Sequence, residues 1–166
     1  VFGSIFMGAV HDFGTLVGVI NNAGVASGGP LLTASMDEWR WMLNINLLGV
    51  VRGCRLFGPI LAEQAEGHIL NIASFAGLAG PPGMAAYATA KAGVIALSEG
   101  LRADLDGSGV GVSVACPSFF QTNLLESFRS ADPTSLKAAT QLMRDAKESA
   151  AMIAEAIYRG VERGEL

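Results

Sequence analysis

Three short apolar runs, each cut off by turn residues and separated by stretches long enough for a helix, constrain this chain more than any other feature. Thr15-Leu-Val-Gly-Val-Ile20 stops at Asn21-Asn-Ala-Gly24, His68-Ile-Leu-Asn-Ile-Ala73 stops at Ser74, and Val110-Gly-Val-Ser-Val-Ala-Cys116 stops at Pro117. Such runs, partly β-branched and apolar on both sides, read as strands buried on both faces. Strands that alternate with helices of ten or more residues form a parallel sheet, so the expected fold is doubly wound α/β.

The intervening segments read as helices. Ser35 has the form of an N-cap with Glu38 as its capping-box partner, and one long helix is expected from there to about residue 65. It carries Trp39, Met42, Leu43, Ile45, Leu47, Leu48, Val51, Leu56 and Ile60. A helix that apolar is expected to be covered on two sides, by the sheet and by another subunit. Gly67 is expected to close it. A second helix is expected over residues 84–105, ended by Asp106-Gly-Ser-Gly109, and two more near residues 136–147 and 148–161 after a mixed loop. With no internal repeat, linker or low-complexity tract, residues 1–166 read as a single domain.

Composition narrows the function classes. The 166 residues are 51% hydrophobic and 16% charged, enough for a sizeable core, and the formal net charge of −4 argues against nucleic acid or an anionic membrane as the main partner. Cys54 and Cys116 stand far apart, with no CxxC and no histidine nearby, so no metal site is expected. Both read as small core hydrophobes in a reducing, cytoplasmic compartment. The first ten residues are apolar but too short to span a bilayer and lack a basic flank, so they read as the buried end of an element. His11 and His68 fit no catalytic geometry.

The chemistry centres on Tyr87-Ala-Thr-Ala-Lys91. Four residues apart on a helix, the phenol and the ammonium lie on one face. A phenol has a pKa of roughly 10, and a fixed positive charge beside it is expected to lower that value and make it a usable proton carrier. The spacing alone is weak, since a half-buried tyrosine beside a solvated lysine is common. In doubly wound sheets, however, ligands bind at the carboxyl ends of the strands. Asn22-Ala-Gly24, Ser74 and Pro117-Ser-Phe-Phe-Gln-Thr122 all fall there, and the Tyr87 helix begins on that side.

Together these residues resemble the short-chain dehydrogenases/reductases, over nearly the whole chain. The resemblance rests on Asn21-Asn-Ala-Gly24, Asn44-Ile-Asn46-Leu-Leu-Gly49, the serine of Asn71-Ile-Ala-Ser74, Tyr87-x-x-x-Lys91 and the stretch from Pro117 to Thr122, in family order and spacing. It implies a Rossmann-like fold and an NAD- or NADP-dependent oxidoreductase acting on a carbonyl or alcohol. Tyr87 would be the general acid/base, Lys91 would lower its pKa and bind the nicotinamide ribose, and Ser74 would hydrogen-bond the reacting oxygen. Asn46 would hold a water through its backbone carbonyl, with Asn44 the nearby alternative. Asn22, Ala23 and Gly24 would pass the adenosine side of the cofactor, and Pro117, Phe120 and Thr122 would lie against its nicotinamide end. Asn22 could equally tie the strands together. The resemblance further implies a homodimer or homotetramer formed by the two apolar helices.

Three features set the chain apart from the family pattern. No glycine-rich turn precedes Asn21, so the fold reads as incomplete at its N-terminal half, carrying the catalytic half and expected to bind dinucleotide poorly alone. A last strand is likewise missing after Arg163-Gly-Glu-Leu166. Ser118 also replaces the glycine usual after this proline. Phe75, Leu78, Pro81, Met84, Phe119, Phe120 and residues 124–128 form the expected substrate pocket, which suits a lipophilic ketone, aldehyde or secondary alcohol. The same residues could serve an epimerase or lyase, and a binding or assembly module is the non-enzymatic alternative.

Overall fold

The computed structural model describes residues 11–12, 15–130 and 133–164. The apolar opening segment lies outside them. Strands β1 (His11–Asp12) and β2 (Thr15–Leu16) form a small antiparallel pair, and β3 (Gly18–Asn21), β4 (Gly67–Ile72) and β5 (Val110–Ala115) form a parallel sheet in that order. Helices α1 (Met36–Asn46) and α2 (Leu48–Gln64) connect β3 to β4. Helices α3 (Ala76–Ala79) and α4 (Ala85–Asp104) connect β4 to β5, while α5 (Pro133–Asp145) and α6 (Ala150–Glu162) follow. This is the Rossmann-like α/β arrangement read from the alternating pattern.

Side-chain alternation along the strands builds the core. Val19, Ile69 and Val110 point to one face, where they meet Val50, Cys54 and Leu61 of α2 and Val94 of α4. Full burial of such side chains stabilises the fold by about 1.5–3 kcal/mol each. On the opposite face Ile20, Leu70 and Ser113 lie in register across the sheet. There α6 brings Ile153, Ile157 and Val161 over Leu70 and Ser113, lining an open cavity of about 260 Å³. Cover on this second face lapses at β3, where Ile20 is 41% exposed.

Four elements depart from the sequence reading, each for a visible reason. The run 15–20 is not one strand: the side-chain amide of Gln64 takes both backbone groups of Leu16, accepting from its N–H (3.1 Å) and donating to its carbonyl (2.8 Å). The chain restarts as β3 beyond an exposed Val17. The long helix is broken at Leu47 (φ −112°, ψ −60°), whose side chain lies against Gly93 of α4. Its end is made by Ala65 in the left-handed region (φ 55°), two residues before Gly67. The loop after Ser74 contains the short helix α3.

The start of α1 follows the expected capping, since Ser35 Oγ accepts from the Glu38 N–H at 3.1 Å. Met36–Gln64 is long and apolar enough by composition to cross a membrane. In the fold the inner side of α2 lies on the sheet and that of α1 packs against α4, while Leu48, Leu56 and Ile60 remain exposed.

Candidate active site

The site begins with the alignment of strand ends. Past the ends of β4 and β5 the ladder continues, with Ala73 N–H donating to the Ala115 carbonyl (2.8 Å) and Phe75 N–H to the Pro117 carbonyl (2.9 Å). Ser74 is thereby set beside the Pro117 turn. Within the core, Asn21 Nδ2 donates to Asn71 Oδ1 (2.8 Å), Asn71 Nδ2 to Ser98 Oγ (2.9 Å), and Ser98 Oγ to the Val94 carbonyl (2.7 Å). Strand-tying therefore belongs to Asn21, which is buried, and not to Asn22, which is exposed. Strand parity decides this: Asn21 shares the inward side of Val19, and its neighbour must face away.

Asn46 is fully buried at the end of α1. Its side-chain amide clasps Val25 from both sides, accepting from the Val25 N–H and donating to the Val25 carbonyl, both at 2.8 Å. The Asn22–Gly24 turn is held against the helix kink in this way. Asn44 is exposed instead and accepts from Arg52 at 2.7 Å. Gly24 sits between the Asn46 and Lys91 side chains, since a Cβ there would stand 3.5 Å from Asn46 Oδ1 and 3.7 Å from Lys91 Nζ.

Tyr87 and Lys91 do lie one turn apart on α4, with the ammonium 5.9 Å from the centre of the phenol ring. Lys91 Nζ donates to the Ile72 carbonyl at 2.7 Å. The Ser74 hydroxyl lies near enough to the Tyr87 side chain to favour its charged form, and it accepts from the Ala76 N–H at 3.2 Å. The serine loop can approach α4 this closely because Gly77 has no side chain. A Cβ there would come 2.7 Å from the Lys91 carbonyl carbon and 2.8 Å from the Ala92 nitrogen, both backbone atoms. Gly77 and the Asn21–Asn71–Ser98 chain were not singled out from sequence. A glycine beside alanine in the serine loop, and asparagines on neighbouring strands, were the available signals.

Burial governs the protonation of the pair. It pushes the Tyr87 phenol above its ordinary value, partly offset by the Ser74 hydroxyl. It also brings the Lys91 ammonium down to about 8, with Cys116 acting the other way. The expected lowering of the tyrosine by the lysine is not found: desolvation, which disfavours both charged forms, dominates, and Ser74 is what acts against it. Tyr87 is held as a neutral phenol.

The other candidates are placed less tightly. Pro117 is tied to the serine loop through Phe75, Phe120 is half-buried, and Thr122 is exposed. Of the expected pocket residues, Met84, Leu124 and Phe128 pack in one cluster with Tyr87, whereas Phe75 and Leu78 are exposed. The 260 Å³ cavity under α6 is lined by Cys116 and Pro117 but by none of Ser74, Tyr87 and Lys91. His68 Nε2 is 3.0 Å from Ser113 Oγ, and both cysteines are unbridged. Among the described residues no group of three or more His, Cys, Asp or Glu is arranged to hold a metal.

Fold and site together define a Rossmann-like α/β protein with a Ser, Tyr and Lys cluster at the carboxyl edge of its sheet. A family model for short chain dehydrogenase matches residues 4–133, and the chain belongs to the short-chain dehydrogenase/reductase family. It is 42% identical over 108 residues to a probable oxidoreductase, EphD, of Mycobacterium tuberculosis, covering 64% of this chain and 18% of that protein. A short-chain dehydrogenase/reductase from Burkholderia phymatum, solved in complex with NAD, superposes with a TM-score of 0.85 at 35% identity, covering 93% of this chain and 60% of that one. A short-chain dehydrogenase from Sphingobium yanoikuyae in complex with NADPH gives 0.77 at 26% identity, covering 91% and 56%. The chain thus spans less than two thirds of each of these relatives.

Proposed function

We propose that the chain carries the catalytic centre of an NAD- or NADP-dependent oxidoreductase that interconverts a carbonyl and an alcohol. The carrying observation is that the Ser74 hydroxyl stands beside the Tyr87 side chain while Lys91 sits buried one turn further along α4. A phenol held neutral is the acid form, so Tyr87 donates its proton to the carbonyl oxygen in reduction and takes one back from the alcohol in oxidation. Ser74 hydrogen-bonds the same oxygen and orients it.

The residues fit a dinucleotide. Lys91 spends one N–H on Ile72 and keeps two donors for ribose hydroxyls, and Gly24 sets no side chain against Nζ. Asn22, Ala23 and Gly24 line the adenosine side, and Pro117, Phe120 and Thr122 the nicotinamide side. When bound, the nicotinamide supplies or accepts the hydride. Asn46 fixes the turn that carries Gly24, and its backbone carbonyl holds the water that links Lys91 to solvent. The apolar Met84, Leu124 and Phe128 favour a lipophilic substrate. A second copy covers Leu48, Leu56 and Ile60 in a dimer or tetramer working in the cytoplasm.

The test is NAD(P)H oxidation with a panel of lipophilic ketones and aldehydes, run on a longer protein in which this chain is joined to a glycine-rich strand-turn-helix, because the chain alone is expected to bind dinucleotide poorly. Tyr87→Phe is expected to reduce turnover by about 10²–10⁴-fold, the usual scale for a lost general acid. A Phe variant as active as wild type would refute the reading, and substrate conversion without net NAD(P)H consumption would move it to an epimerase or lyase.

A further inference from the structure

Beyond β5 the chain returns across the site. Asn123–Ser127 forms a turn of 3-10 helix, and Leu124 and Phe128 pack into the cluster that contains Tyr87, Val25 and Met42. Tyr87 is left only 6% exposed. The far end of this strap is fastened to the loop after β3. Arg129 N–H donates to the Ala26 carbonyl (3.1 Å), Gly28 N–H donates to the Arg129 carbonyl (3.2 Å), and Ser27 and Arg129 form an isolated parallel bridge. Gly29 N–H donates in turn to the Gly83 carbonyl (2.8 Å), which draws in the loop before α4.

One side chain stands outside this backbone seam and outside the catalytic cluster. The Arg129 guanidinium lies 3.9 Å from the ring centre of Trp41 on α1. Indole is the best aromatic partner for a cation, and a planar guanidinium stacks on it where an ammonium cannot. The contact joins the strap to the helix whose last residue is Asn46. The backbone seam is also too tight to admit a ligand, since the space beside Gly28, Gly83 and Trp39 is about 10 Å³.

We propose that Arg129 is a positioning residue: stacked on Trp41, it latches the strap over Tyr87, and its release opens the path by which the carbonyl substrate reaches the Tyr87 hydroxyl. The proposal rests on the reading of Tyr87 as proton donor. Leu124 and Phe128 ride on the strap, so the latch also sets how firmly the apolar wall meets the substrate.

The chain has two tryptophans, so in a Trp39→Phe background Trp41 reports alone. Arg129→Ala is expected to speed amide exchange at residues 28 and 129 about two- to five-fold, the range of an exposed cation–π contact, while α4 amides stay unchanged. Acrylamide quenching of Trp41 rises alongside, with Arg129→Lys intermediate. In turnover, KM rises by a similar factor while kcat holds. Unchanged exchange at residues 28 and 129 would overturn the latch, as would equal acceleration throughout α4. Tyr87→Phe serves as the separate control: it cuts turnover by about 10²–10⁴-fold yet leaves exchange and quenching as in wild type. If Arg129→Ala loosens the strap but the longer protein carrying the glycine-rich half oxidises no NAD(P)H with any carbonyl, the catalytic reading fails; if the strap does not loosen, the latch fails whatever the turnover.

Discussion

Lys91→Met gives the sharpest physical test of the site, because it removes an ammonium that the fold holds almost dry. Lys91 is 4% exposed, and burial brings its pKa down from 10.5 to about 8. In the unfolded chain the ammonium keeps its proton to the ordinary value, whereas in the folded chain it releases it near 8. Between those values the unfolded state binds more protons, so raising the pH favours the folded state. Integrated from pH 7 to pH 10, with about 1.36 kcal/mol per pKa unit, wild type gains roughly 2.5 kcal/mol relative to a variant without this group. Urea denaturation of wild type and Lys91→Met at several pH values gives the difference curve directly. Groups that titrate alike in both proteins, such as Cys54, cancel in the subtraction. The expected result is a difference that moves toward wild type by about 2 kcal/mol or more over that range. Parallel curves would show that the ammonium is hydrated and that burial does not set its protonation.

Three further substitutions probe the scaffold around the pair. Asn46→Leu leaves the Val25 N–H and carbonyl without partners in a buried place and should cost about 2–5 kcal/mol in urea denaturation. Gly77→Ala drives a methyl into the backbone of α4 at Lys91 and Ala92, so a loss of about 2 kcal/mol or more in thermal unfolding is expected, and an unchanged Tm would contradict the close approach. Ser35→Ala should cost about 1 kcal/mol as a lost cap, largely restored in Ser35→Asp.

The parts of the fold that were legible are those fixed by local pattern. Three apolar runs gave the parallel sheet, Ser35 gave the start of α1, and a four-residue spacing put Tyr87 and Lys91 on one side of α4. What escaped was set by distant partners. Gln64 splits the first run by capturing Leu16, and Asn46 reaches back to Val25 where the helix breaks; neither partner is visible in a short window. The order of pKa effects escaped for a similar reason. Helical spacing shows that a lysine is near a tyrosine, but only the packed neighbours show that both are dry, which reverses the expected shift of the phenol.

The amide pair between β3 and β4 has a consequence for alignment. On a face made only of Val19 and Ile69, a two-residue slip of one strand past the other would exchange hydrocarbon for hydrocarbon at little loss. It would also displace the strand end by about 6.6 Å. With Asn21 opposite Asn71, any slip strands a buried amide against an aliphatic neighbour, so one offset alone is acceptable. The asparagine pair is therefore a notch that sets how far each strand protrudes, and it brings the Gly24 turn and the Ser74 hydroxyl out level at the same edge.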